Sequence, residues 1–151
     1  MKKLIITVFL VLYSLMGKAQ TGDMFIESES RYGFEETVKI LIETITAGGW
    51  KISVVHDLQE SMKKSGKEVL PVKVFELCNP KHSYKILSVD ELRIYSSLMP
   101  CRFSVYESSG GKIYISRMNT VMLSKQAGGI VETVMTEATK ETEEFLKAVL
   151  N

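Results

Sequence analysis

The chain has 151 residues, 45% hydrophobic and 25% charged, and its 19 basic and 18 acidic side chains give a net charge of +1. These values suit one globular domain, and they exclude a disordered chain, a collagen and a coiled-coil repeat. The balanced charge gives no support for nucleic-acid binding, which needs clustered basic side chains, and two cysteines are too few for a disulfide-rich scaffold.

Residues 1–19 have the order of a secretory signal peptide. Two lysines precede a mostly apolar run over 4–16, which is shorter than the roughly 20 residues of a spanning helix. Small residues at Gly17 and Ala19 then mark a cleavage site after Ala19. We expect an exported protein, periplasmic or secreted, with a single domain over 20–151 and no stable membrane insertion after cleavage. An uncleaved amino-terminal anchor is the alternative.

Cleavage changes the charge, because residues 1–19 hold three lysines and no acid. The remaining chain has 16 basic and 18 acidic side chains, a net charge of −2. An acidic, exported domain is a poor candidate for binding nucleic acid or an anionic membrane surface. Its cysteines would also mature in an oxidising compartment, where disulfides persist.

The spacing of apolar residues and the helix-capping patterns divide the mature chain into strands and helices. The predicted elements are a strand at 24–28, a helix at 34–47, a strand at 50–56, a short helix at 58–64, a strand at 72–78, short helices at 82–87 and 88–99, strands at 102–107 and 112–118, and a long helix after 129. Four strands in succession favour an antiparallel sheet, and the two main helices can cover one face. The predicted class is therefore a two-layer α+β fold.

Three short motifs resemble those of the bacterial and archaeal family known as DUF302, also called TT1751-like. They are the Asn-Pro at 79–80, the Pro-Cys-Arg at 100–102 and the Met-Asn-Thr at 118–120, in a resemblance that runs from about Ser28 to Leu150. The resemblance implies a two-layer α+β fold akin to the TATA-binding-protein architecture, often found as a homodimer. It implies no established activity and no cofactor, and DNA binding does not follow because one fold hosts many functions.

The two cysteines are the most informative pair. Cys78 closes the predicted third strand and Cys101 opens the fourth. If these strands are antiparallel neighbours, facing residues there have Cα atoms about 4.5–5.5 Å apart, which permits a disulfide worth about 3 kcal/mol. Two buried, unreactive thiols and a reactive or metal-binding thiol pair are the alternatives. Many members of the resembled family have Gly and Leu at these positions, so a role needing both thiols would belong to a subgroup.

Five other polar residues each have a structural explanation. Asn79 and Asn119 follow strands and suit helix caps. Arg102 alternates with apolar residues and is expected on a solvent face. His56 alternates in step with the apolar positions of its strand, so it is expected to lie on the same face and pack inward. His82 lies in the first turn of a helix and is expected to be exposed.

The sequence contains no nucleophile elbow, P-loop, dinucleotide fingerprint or zinc-protease helix. We therefore interpret the protein as a non-catalytic, dimeric binding or accessory domain with an unknown small ligand or protein partner. The alternative is a thiol redox or soft-metal protein that binds copper through Cys78 and Cys101. The candidate site residues are Cys78, Asn79, Pro100, Cys101, Arg102 and Asn119.

Overall fold

A computed structural model describes residues 24–151, so the predicted signal peptide over 1–19 lies outside the described residues. The elements are β1 (Phe25–Glu29), α1 (Phe34–Ala47), β2 (Lys51–Asp57), α2 (Leu58–Lys64), β3 (Val72–Cys78), α3 (Pro80–Leu87), a 3-10 segment (Asp90–Leu98), β4 (Cys101–Glu107), β5 (Ile113–Met118), α4 (Thr120–Lys125) and α5 (Gly129–Leu146). Within residues 24–151, no helix has the length and apolar character needed to cross a membrane.

Three short helices begin at side-chain caps that the sequence marks. The Asp57 side chain accepts a hydrogen bond from the backbone N–H of Glu60, which starts α2. Asn79 caps α3 in the same way, with Pro80 in the first turn, and Asn119 caps α4. Each cap satisfies a backbone donor that the first turn of a helix leaves unpaired. Residues close in sequence therefore determine where these three helices begin.

The five strands form one antiparallel sheet in the order β1-β5-β4-β3-β2. Helices α1 and α5 pack on one face of it, so the predicted two-layer α+β fold is confirmed. The core between the layers includes Leu41, Ile45, Phe75, Leu77, Phe103, Val105, Ile115 and Leu146. A smaller cluster of buried side chains, with Ile86 from α3 and Val134 and Met135 from α5, continues this core past the ends of β3 and β4.

The other face of the sheet carries the alternate side chains. Because Phe75 and Phe103 point into the core, their neighbours Val74 and Ser104 point away from the helices. We call this surface the open sheet face; it includes Phe25, Val54, His56, Val74, Glu76, Arg102, Ser104, Tyr106, Ser116 and Met118.

A β-bulge in β2 changes which residues face the core. The pairing with β3 shifts between Ile52 and Val54, so Val55 rather than Val54 pairs with the buried Phe75. His56 then falls on the open sheet face, where its side chain is 46% exposed. The expectation that His56 packs inward is wrong, because an extra residue at a bulge reverses the alternation beyond it.

Residues 148–150 form hydrogen bonds with Ser30 and Arg31, which follow β1. The backbone N–H of Arg31 donates to the carbonyl oxygen of Val149 over 3.0 Å, and the Ser30 hydroxyl donates to the same oxygen over 3.2 Å. The Arg31 guanidinium donates to the Ala148 carbonyl over 2.9 Å, and Ser30 forms a β-bridge with Leu150. These contacts fasten residues 148–150 to the start of the domain.

Candidate functional site

A narrow cleft lies where the ends of β3 and β4 meet α3 and α5. It encloses about 310 Å³ counted with its solvent-open mouth, and its inner part has room for about one water molecule. Its apolar wall includes Trp50, Met99, Pro100, Val134, Met135 and Ala138. The polar residues Asn79, His82, Ser83 and Cys101 also line it. We call it the His82 cleft; an apolar cleft with few polar groups is the usual form of a small-molecule site.

The position of His82 follows from the start of α3. Asn79 caps the helix, so His82 and Ile86 lie one turn apart on the same side, and that side packs against α5. Both residues are buried, with His82 only 5% exposed. The expectation that His82 is exposed is wrong, because α5, which begins more than 40 residues later in the chain, covers this side of α3.

The imidazole of His82 is buried without a well-aligned hydrogen bond. Its Nε2 lies 3.0 Å from Oε1 of Glu141, and its Nδ1 lies 3.9 Å from Oε2 of Glu137. Neither contact has the geometry of a hydrogen bond, so both ring nitrogens lack a partner of that kind. Buried polar groups are nearly always paired, so an exception beside a cleft calls for a structural or functional explanation.

The two carboxylates beside His82 already have other partners. Burial acts to raise the pKa of Glu141, but the hydrogen bond from the indole of Trp50 and the contact with His82 outweigh it, and the pKa is lowered. The pKa of Glu137 is lowered by the Lys85 ammonium, which lies 2.8 Å away. Both carboxylates therefore remain ionised at neutral pH and serve to orient the side chains that face the cleft.

The two cysteines are free thiols, and the predicted disulfide between them is not formed in this structure. In the register of β3 and β4, Cys101 pairs with Leu77, one residue before Cys78. Successive side chains on a strand point to opposite faces, so this offset does not place the two sulfurs opposite each other. Sγ of Cys78 instead lies 3.8 Å from the hydroxyl oxygen of Ser83.

The Cys101 thiol is held in its protonated form. Burial raises its pKa to about 11, with a smaller contribution from the nearby Cys78. A thiol with a raised pKa is a poor nucleophile, since the thiolate is the reactive form.

Arg102 and Asn119 do not line the His82 cleft. Arg102 lies on the open sheet face, as expected, and its Nη2 is 3.1 Å from Oε1 of Glu76. Nε2 of His56 is 3.3 Å from the same oxygen, and the contacts with His56 and Arg102 lower the pKa of Glu76 against the effect of burial. Asn119 caps α4. Of the six predicted residues, Asn79, Pro100 and Cys101 meet in the His82 cleft, and Cys78 lies beside it.

Trp50, His82, Met99 and Met135 all line the cleft but are not among the candidate site residues predicted from the sequence. The spacing of His82 and Ile86 was the available signal, because a histidine one turn from a core isoleucine shares its helix face. Among residues 24–151, no group of three or more His, Cys, Asp and Glu side chains is placed to hold a metal ion.

Comparisons with known proteins agree with this fold. A family model described as a domain of unknown function, DUF302, matches residues 26–151. The crystal structure of an uncharacterized conserved protein DUF302 from Bacillus stearothermophilus is similar to this chain with a TM-score of 0.71 and 21% identity. The match covers 82% of this chain and 96% of that one, and at this identity it shows a shared fold. No curated protein matches the chain.

Proposed function

We propose, on the premise that the chain belongs to the DUF302 family, that it is an exported binding or accessory domain whose ligand occupies the His82 cleft. One observation carries the proposal. The His82 side chain is only 7% exposed, lines an otherwise mostly apolar cleft, and has no aligned hydrogen bond at either nitrogen. Leaving such a group unpaired costs about 1–3 kcal/mol, a cost that a ligand able to pair with it would remove.

The groups in the cleft suit binding better than catalysis. The raised pKa of Cys101 keeps it as a thiol at neutral pH, which works against both nucleophilic and thiol redox chemistry. The Ser83 hydroxyl donates to the backbone carbonyl of Asn79 and makes no hydrogen bond to His82. The nucleophile and base pairing that covalent catalysis requires is therefore not formed between these residues.

Trp50 provides the test, because it is the only tryptophan in the chain and its ring lies against His82, with 5.6 Å between ring centroids. The probes are n-butanol, n-butylamine, butyrate and Ag⁺, which combine small size with different head groups. We expect at least one of them to change the Trp50 fluorescence saturably. Ala138→Leu, which fills the cleft, should abolish this change, and Ala47→Leu at an exposed position should not. No saturable change with any probe would overturn the proposal.

Export is supported by the order of residues 1–19 and is tested separately. We expect the protein in the exported fraction of the expressing cells, with an amino terminus at Gln20 by Edman sequencing. A chain that starts at Met1 and stays in the cytoplasmic fraction would contradict export and leave the cleft proposal untouched.

A homodimer is the remaining part of the proposal, and the resemblance to DUF302 proteins supports it. The open sheet face offers a surface, since Phe25 is 53% exposed and Val54 is 43% exposed there. Sedimentation velocity should show a dimer that Val74→Glu converts to a monomer, because Val74 lies on this face. Glu43→Lys on α1 is the control on the helical layer, and a monomer in the unaltered protein would exclude the dimer.

A further inference from the structure

We propose that the His82 cleft binds one soft monovalent metal ion, Cu⁺, through the imidazole of His82 and the sulfur atoms of Met99, Cys101 and Met135. This inference rests on the proposed function, since it names the ligand of the same cleft. The four side chains come from separate parts of the chain: α3, the residue after the 3-10 segment, the first residue of β4, and α5. The fold therefore brings four residues that carry one imidazole and three sulfur atoms to the lining of one narrow cleft.

The donor set selects the class of ion. Thioether and thiolate sulfur prefer Cu⁺, whereas Mg²⁺ and Ca²⁺ require several oxygen ligands. The residues that line the cleft include no carboxylate, and the described part of the chain has no cluster of His, Cys, Asp and Glu that would suit zinc. When Cys101 binds the ion as a thiolate, its proton leaves to solvent.

The surroundings of His82 match those of a metal ligand. A histidine that binds a metal usually donates its other ring N–H to a carboxylate, which fixes the ring and its tautomer. Oε1 of Glu141 lies 3.0 Å from Nε2, near enough for this role although the two groups are not aligned in a hydrogen bond, while Nδ1 has no polar partner within hydrogen-bond distance. The Glu141 carboxylate is itself held by the indole of Trp50 over 2.8 Å.

The size of the cleft also fits an ion. Its inner part holds about one water molecule, which is enough room for a single bare ion. Trp50 is 4% exposed and lines the same space, and the face of an indole ring attracts a cation. A heavy ion in contact with this ring would quench its fluorescence.

Ag⁺ is the probe, because it is soft, monovalent and stable in air. The titration uses the protein in a Cys78→Ser background, which removes the thiol that does not line the cleft. We expect one Ag⁺ per chain by native mass spectrometry, quenching of Trp50, and shifts of the His82 ring ¹⁵N signals. The double substitution Met99→Leu and Met135→Leu, which removes both thioethers and nearly keeps side-chain volume, should weaken binding by about tenfold or more.

The matched control is Met62→Leu with Met118→Leu, which removes two thioethers outside the cleft. It should leave the Ag⁺ affinity unchanged, and circular dichroism should show that both double variants are folded. Equal affinities in the two double variants would overturn the metal site. If n-butanol or n-butylamine still bound to the cleft, the proposed function would stand without the metal; if nothing bound, both would fail.

Discussion

The indole Nε1 of Trp50 donates a 2.8 Å hydrogen bond to Oε2 of Glu141, and Oε1 of the same carboxylate lies 3.0 Å from Nε2 of His82. One side chain of α5 thus holds both the aromatic wall of the cleft and its buried imidazole. Because Trp50 precedes β2 and His82 belongs to α3, Glu141 links three separate parts of the fold.

Glu141→Gln should therefore lower the free energy of unfolding by about 1 kcal/mol, since a charged acceptor is replaced by a neutral one. Urea unfolding followed by circular dichroism measures the change. Glu144→Gln is the control, because Glu144 is exposed and pairs only with the neighbouring Lys147 in the described structure. Equal free energies of unfolding for the two variants would show that the contacts of Glu141 with Trp50 and His82 do not stabilise the fold.

Arg117 and Glu143 form a second link between the sheet and α5. Arg117 is 8% exposed and its Nη2 donates to Oε2 of Glu143 over 2.8 Å. Arg117→Met should cost about 2 kcal/mol, below the usual value for a fully buried pair because the Glu143 side chain is 35% exposed. Adding Glu143→Leu should restore part of this loss. Guanidinium unfolding measures the free energies. If the effects of the two substitutions simply add in the double variant, the Arg117 and Glu143 side chains are not coupled.

Acidification should destabilise the protein through Glu76, Glu137 and Glu141. Their pKa values are lowered from the ordinary 4.5, so folding favours the ionised forms. The stability they contribute is present above pH 4.5 and is lost as the pH falls through their lowered values. Carboxyl ¹³C titration should show the pKa of Glu76 moving back toward its ordinary value in Arg102→Gln. A Glu76 pKa unchanged by that substitution would contradict this account.

The two thiols should differ in reactivity. With a pKa of about 11, Cys101 is ionised to roughly one part in a thousand at pH 8, so iodoacetamide should modify it slowly in the folded protein. Peptide mass spectrometry over time should find Cys78 modified first. In denaturant without reductant, iodoacetamide should modify both cysteines. A protein mass that lacks both adducts would show that Cys78 and Cys101 form a disulfide after all.

Gly48 lies against the ring of Phe145, and a Cβ there would clash with it. Gly48→Ala should therefore cost about 1–3 kcal/mol by displacing a buried aromatic side chain. The backbone φ of Gly48 is −74°, so the cost is steric rather than conformational. Gly33→Ala, where a Cβ meets nothing, is the control, and thermal unfolding of the two variants should separate them.

Local signals explain why the architecture was predictable. The caps at Asp57 and Asn79 and the alternating strands of the β4–β5 hairpin each depend on residues that are neighbours in sequence. The antiparallel order then follows from four strands in succession with only short helices between them.

The expectations for His56, His82 and the disulfide failed because each depends on contacts between segments that are distant in the chain. The bulge in β2 that turns His56 outward is visible only in the register with β3. The offset between Cys78 and Cys101 is likewise a property of two strands, and one residue decides it. The burial of His82 depends on α5, so the centre of the cleft could not be located from α3 alone.

The contacts of Ser30 and Arg31 with residues 148–150 have a consequence for biosynthesis. Ser30 and Val149 are 119 positions apart, so the nascent chain cannot form these contacts until residues 148–150 have left the ribosome. Contacts between residues so far apart in sequence form slowly, because closing the long loop between them costs entropy.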